Sequence, residues 1–300
     1  MIASFAHLTA PEVEALPRPL TLFLFPLGGI EQHGPHLPVG TKLLQAEEMT
    51  KAIAAELQAR LPAWSFILMP LLPFSVDSYT NRFALNVRAH VVRDAVVDQC
   101  EELKRLKFHN FATVSSHLSP KQLCALEDAA KIVNRRSMMG GTRAQLASVM
   151  GVVVDSKDVV ESPMIAIPKE HAGGNDTGQL LHWNESLVAK DYQSLSSKPR
   201  PKASVGRFFA WMKNELDGYW GNPAEALPEN AMASFDNQVR TISDRMVPWL
   251  EQNKGQGIFK SGYHYFPMNG SFFKAYLLAM IFFVMMLIWV IWGVKDAFEK

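Results

Sequence analysis

The feature that most limits what this chain can fold into is a repeated alternation. Short apolar runs of strand length are each followed by a stripe of apolar residues at helical spacing. Residues 20–27 (LTLFLFPL) end in Gly28-Gly29, the pattern of a strand buried on both faces that runs into a loop. Met49, Ile53, Leu57 and Leu61 then recur every four residues, and that spacing predicts a helix over 44–61. Residues 66–70 (FILMP) read as a second strand, and Val92, Val96, Cys100, Leu103 and Leu106 as a second helix. A third strand is predicted at 111–114 and a third helix from Leu123, Leu126, Ala130 and Val133, with further strands at 151–154 and 164–167. Residues 194–204 (SLSSKPRPKAS) read as a loop. Phe235, Val239, Ile242, Met246 and Leu250 form the stripe of a last helix in this part of the chain. Strands alternating with helices imply an α/β fold with a doubly wound, mostly parallel sheet flanked by helices.

In such sheets ligands bind outside the carboxyl ends of the strands. Three polar clusters fall at or just after predicted strand ends: Glu31 with His33, His117, and His171 with Asp176. Glu31 and His33 are two residues apart, so in an extended segment their side chains project the same way. A carboxylate and an imidazole converging there suit Zn²⁺ or Mn²⁺. Gly34-Pro35 turns the chain directly after the pair.

Charge excludes one class of partner. Lys and Arg number 30 and Asp and Glu 29, a net charge of +1, whereas nucleic-acid binding needs a clustered basic face. The longest basic cluster, Lys198, Arg200 and Lys202, lies in a Pro-rich stretch and reads as a solvated loop. The two cysteines, Cys100 and Cys124, have no CxxC or Cys/His metal spacing and read as reduced thiols. The first residues, MIASFAH, lack the basic and apolar regions of a secretory signal.

The C-terminal end is of another kind. Residues 275–294 (AYLLAMIFFVMMLIWVIWGV) run for twenty positions without a charge, and about 20 helical residues cross a bilayer core. Lys274 and Lys295 bracket the run, with Tyr276 near one edge and Trp289 and Trp292 near the other, as membrane interfaces favour. The expected organisation is a domain over 1–253, a linker over 254–272, a transmembrane helix over 273–295 and a short tail over 296–300. The expected location is a membrane, through a single-pass C-terminal anchor at 275–294, with the bulk of the chain on the cytoplasmic side.

The string FPLGGIEQHGPHLPVGT at 25–41 resembles the signature of the creatininase family, whose usual form is close to PVGSxEQHGPHLPLxTD. HLTAPEVEAL near the start resembles the family's opening helix. His117 stands where the family has the histidine of Asn-Gly-His-Gly-Gly-Asn, and HAGGNDT at 171–177 resembles His-Ala-Gly-Glu-x-Glu-Thr. Gly221-Asn222-Pro223-Ala224 resembles its Gly-Asp-Pro motif. The resemblance covers residues 5 to 253. It implies a creatininase-like fold, assembly as homo-oligomers and metal-dependent hydrolysis of C–N bonds in small, often cyclic, amides, with two divalent ions sharing a bridging aspartate.

The chain departs from that pattern. Lys42 follows Gly40-Thr41 where the bridging aspartate belongs. Two unit charges about 4 Å apart interact by about 4 kcal/mol at an effective dielectric of about 20, and a divalent ion doubles that. An ammonium there opposes a two-metal site, swings away, or stands in for a missing ion by pairing with Glu31. Around His117 the sequence reads SSHLSP, without the family's glycines and asparagines. Gly174 and Asp176 replace two glutamates. The residual metal ligands expected are Glu31, His33, His117 and Asp176, with His171 as an acid/base candidate. Those ligands suffice for one Zn or Mn and not for two. Two functions follow as expectations. One is a membrane-anchored pseudoenzyme with an empty or degenerate metal site and a structural or binding role in a membrane complex. The other is an active single-metal amidohydrolase.

Overall fold

The computed structural model describes residues 1–78, 83–138, 144–150, 170–199, 217–252, 259, 261 and 270–298. Among them, five strands form one parallel sheet: β1 (Ile2–Ser4), β2 (Thr21–Leu27), β3 (Ser65–Leu68), β4 (Asn110–Ser115) and β5 (Gln145–Ser148). Their order is β1-β3-β2-β4-β5. The helices are α1 (Ala10–Ala15), α2 (Thr41–Arg60), α3 (Ala89–Arg105), α4 (Pro120–Met138), α5 (Gly174–Asn184), α6 (Pro228–Gln252) and α7 (Gly270–Phe298). The expected parallel α/β sheet flanked by helices is therefore present. The strands expected at 151–154 and 164–167 lie outside the described residues, as do residues 200–204 of the loop expected at 194–204.

Period-two alternation along β2 divides the interior into two layers. Leu22 and Leu24 pack with Ile53, Leu57, Ile242, Met246 and Trp249 of α2 and α6. Phe23, Phe25 and Leu27 pack on the other face with Val92, Val96 and Cys100 of α3 and Leu126 and Val133 of α4. Every residue of β2 is buried, which explains why its sequence is a continuous apolar run. Phe66 and Ile67 of β3 divide between the two layers in the same way. Both cysteines are buried.

β3 lies on one side of β2 and β4 on the other, so the direction of winding reverses at β2. The carboxyl ends of β2 and β4 flank that switch point, where doubly wound sheets hold their ligands. The Ser116 amide donates to the Leu27 carbonyl at 3.1 Å, which keeps the two exits side by side. Gly28 is required by this packing. A Cβ there would lie 2.3 Å from the Lys42 carbonyl oxygen, so only glycine lets the end of β2 meet the first turn of α2.

The C-terminal apolar run is helical, as part of α7. All described side chains of that helix, residues 278–292, are exposed, Trp289 and Trp292 to 78% and 75%. Among the described residues no helix is long and apolar enough to cross a membrane. The described side chains of α7 cover fifteen positions, against about 20 for a span. Within the stretch expected as a linker, Phe259 is buried edge-on against Trp249 at 5.5 Å, and the Ser261 amide donates to Glu127 Oε1 at 2.9 Å.

Candidate metal centre

The loop after β2 supplies Glu31 and His33, both fully buried. Gly34 adopts φ +66°, and its amide donates to the Gly218 carbonyl at 2.8 Å. That left-handed turn is the one the Gly-Pro pair announced. His171 arrives from the start of the α5 region. Its backbone pairs with Trp220 in both directions, at 3.0 and 2.9 Å, and its ring stacks on the Trp220 indole at 4.9 Å.

Glu31, His33 and His171 form a buried group whose ligand atoms all lie within 4.8 Å of one another. The hydrogen bonds decide which atoms carry lone pairs. His33 Nδ1 faces the Glu31 carbonyl at 3.0 Å. A carbonyl only accepts, so Nδ1 holds the proton and Nε2 the lone pair. Nε2 is buried with no hydrogen-bond partner among the described residues. His171 Nε2 faces the Gln32 carbonyl at 2.9 Å, which leaves the lone pair on Nδ1. An imidazole that donates one N–H to a backbone carbonyl and keeps its other nitrogen unprotonated is set up as a metal ligand. Two histidines and a glutamate match the three protein donors of a hydrolytic zinc site. The residues present therefore fit one divalent ion.

Protonation favours the same reading. Burial, then the charges of His171 and Lys42, push His33 down to about 3. Burial and Lys42 also lower His171, against the opposing pull of Glu31 and Asp176. Burial opposes ionisation of Glu31, but the His117 hydrogen bond and the nearby histidines hold its carboxyl below the usual carboxylate range.

Two of the residues expected as ligands stand beside the group. His117 Nδ1 lies 3.1 Å from Glu31 Oε1, and its Nε2 lies 3.0 Å from the Val76 carbonyl. Both ring nitrogens face acceptors, so His117 orients Glu31. Asp176 is nearly buried and accepts from Gln45 Nε2 at 2.7 Å, the Ala172 amide at 2.8 Å and Lys42 Nζ at 3.2 Å. Burial opposes its ionisation, and the Lys42 charge chief among the opposing effects carries its carboxyl below the usual range. The ammonium expected against Glu31 or in solvent thus pairs with Asp176.

Residues given no role by the sequence complete the surroundings. Gln45 bonds Lys42, Asp176 and Gln179. Its position three residues after Lys42 on one helix is a spacing that predicts a shared face. His36 donates from Nε2 to Thr177 Oγ1 at 2.9 Å, since that hydroxyl donates to the Gly173 carbonyl. Glu170 accepts from the Gly174 and Asn175 amides at 3.2 and 2.6 Å, at the first turn of α5.

Residues 6–246 match the family described as Creatininase, creatinine amidohydrolase. A mycofactocin precursor peptide peptidase of Mycobacterium ulcerans (strain Agy99) is 33% identical over 245 residues, 78% of this chain and 88% of that protein. Among solved structures, a mutant creatininase superposes with a TM-score of 0.63 at 17% identity, covering 83% of this chain and 99% of the other. A mutant creatininase of Zn–Zn type gives 0.62 at 18% identity, over 83% and 98%. A manganese creatininase gives 0.60 at 17%, over 83% and 98%.

Proposed function

The chain belongs to the creatininase family, and from that premise we propose that it hydrolyses amide C–N bonds with one divalent ion held by Glu31, His33 and His171. One observation carries this reading: the buried, unpartnered Nε2 of His33 converges with a carboxylate and a second imidazole whose tautomer is fixed. A Zn²⁺ or Mn²⁺ bound there would supply Lewis acidity toward an amide carbonyl. The chain's own residues prepare the place. His117 fixes the Glu31 carboxylate, backbone carbonyls of Glu31 and Gln32 fix the two rings, and Trp220 stacks over His171 and excludes water from that side. The substrate class supported by the curated relative is a peptide amide, and by the family description a small cyclic amide. The test is hydrolysis of short peptides and cyclic amides by purified chain, with and without chelator. Chelator-sensitive turnover that disappears together with bound metal in His33→Ala is expected. An empty site and no turnover across both substrate sets would instead favour the pseudoenzyme reading.

We also propose that α7 attaches the domain to a membrane, with the domain on the cytoplasmic side. The support is a run of twenty uncharged residues and exposure on every side of its described portion, not on one stripe. A helix apolar all round finds no single protein groove to cover it, whereas lipid covers it completely. Fractionation of cells expressing the full chain and a chain ending at 269 checks this. The full chain is expected to need detergent for release and the shorter one to appear in the supernatant; recovery of both without detergent would reject the anchor.

A further inference from the structure

Asp176 lies in the same cluster as the three-residue metal group, yet its oxygens are already committed. Oδ1 accepts from Gln45 Nε2 at 2.7 Å and from Lys42 Nζ at 3.2 Å. Oδ2 accepts from the Ala172 amide at 2.8 Å and lies 3.4 Å from the same ammonium. Lys42 Nζ also donates to Gln45 Oε1 at 2.8 Å. The pair is largely withdrawn from water, its side chains 14% and 8% exposed.

Resting on the metal-dependent reading above, we propose that the Lys42 ammonium takes the place of a second cation, so that this chain binds one divalent ion where a Zn–Zn creatininase binds two. Three features hold the ammonium there. The Lys42 backbone is clamped under Gly28, and its carbonyl accepts from Ser116 Oγ, so the stem leaves α2 from a fixed point. A buried carboxylate without a counter-ion is strongly disfavoured, so Asp176 retains its partner. Between them, the ammonium, an amide side chain and a backbone amide engage both oxygens, so Asp176 has no oxygen left uncommitted to offer a metal. Charge makes the same point. A second divalent ion would add two positive charges to a site that already contains an ammonium. Exchanging Lys42 for aspartate removes two, so that variant with two ions carries the charge of the native site with one.

The experiment is metal content per chain by mass spectrometry, on full-length protein in detergent loaded with excess Zn²⁺ or Mn²⁺ and desalted. One ion is expected for the native chain and two for Lys42→Asp. Two ions in the native chain would overturn this inference and leave the hydrolase reading standing. No ion would overturn both. A folded Lys42→Asp that still holds one ion would show that Lys42 is not what excludes the second. A stability cycle keeps the idea testable should that variant fail to fold. Lys42→Met is expected to lower the melting temperature by several degrees, and the double change Lys42→Met with Asp176→Asn to recover most of the loss. Additive losses would contradict the pairing.

Discussion

His33 shows how a single tautomer can be dictated by chain geometry. Its Nδ1 proton is tied to the carbonyl of a residue two positions earlier, so the same short loop that delivers the ring also decides which nitrogen faces the site. His117 acts one step further out, through Glu31. Replacing His117 with phenylalanine is expected to weaken metal binding about 10–100-fold, the usual cost of losing such a supporting partner, and competition titration against a chelating dye measures it. The pH dependence has a definite sign. His33 falls from 6.5 to about 3 and His36 from 6.5 to about 4 on folding. Between those values the unfolded chain binds protons that the folded chain refuses, so stability falls as pH drops below about 6.5. Glu31 and Asp176, both held ionised, add their own loss as pH falls below 4.5 and 3.8, their ordinary values. Melting curves between pH 7 and 3 should therefore descend in two stages, and His33→Gln should flatten the first. At this scale the sequence was legible where partners are close along the chain: Glu31 and His33 announce themselves by a spacing of two. The joining of His171 to them, and of Asp176 to Lys42 across 134 positions, is made by tertiary crossing that no local spacing encodes.

Among the elements, β2 was the easiest to read because burial on both faces demands seven consecutive residues that tolerate the interior. β5 (QLAS) and β1 (IAS) escaped for the converse reason. They are four and three residues long, carry polar side chains and are held by their neighbours' ladders more than by their own composition. Phe23 of β2 packs edge-on to Phe5 at 5.9 Å and Phe108 at 4.9 Å. Phe23→Ala should cost about 3–5 kcal/mol, visible as a shift of the urea midpoint at unchanged slope. Gly28→Ala should cost about 1–3 kcal/mol through forced overpacking against the start of α2. It should also disturb metal binding, because the displaced turn carries Lys42.

For the molecule as a whole, two residues beyond the end of α6 contact the folded domain. Phe259 fills the layer between α2 and α6, and Ser261 satisfies the buried carboxylate of Glu127. Neither contact was legible, because a Gly-, Lys- and Tyr-rich stretch has the composition of a connector and an isolated phenylalanine gives no period. A chain ending at 253 should be about 3–5 kcal/mol less stable than one ending at 269, the scale of losing one buried aromatic side chain. Thermal melting of the two purified fragments decides this, and equal melting temperatures would show that the stretch contributes nothing to the domain.

The carboxylate of Glu170 lies across the first turn of α5, bonded to the Gly174 and Asn175 amides. The partial positive charge that a helix start normally offers to dissolved phosphates or acids is thereby satisfied by the chain itself. A compound with a negatively charged end must find its anchor elsewhere around the centre.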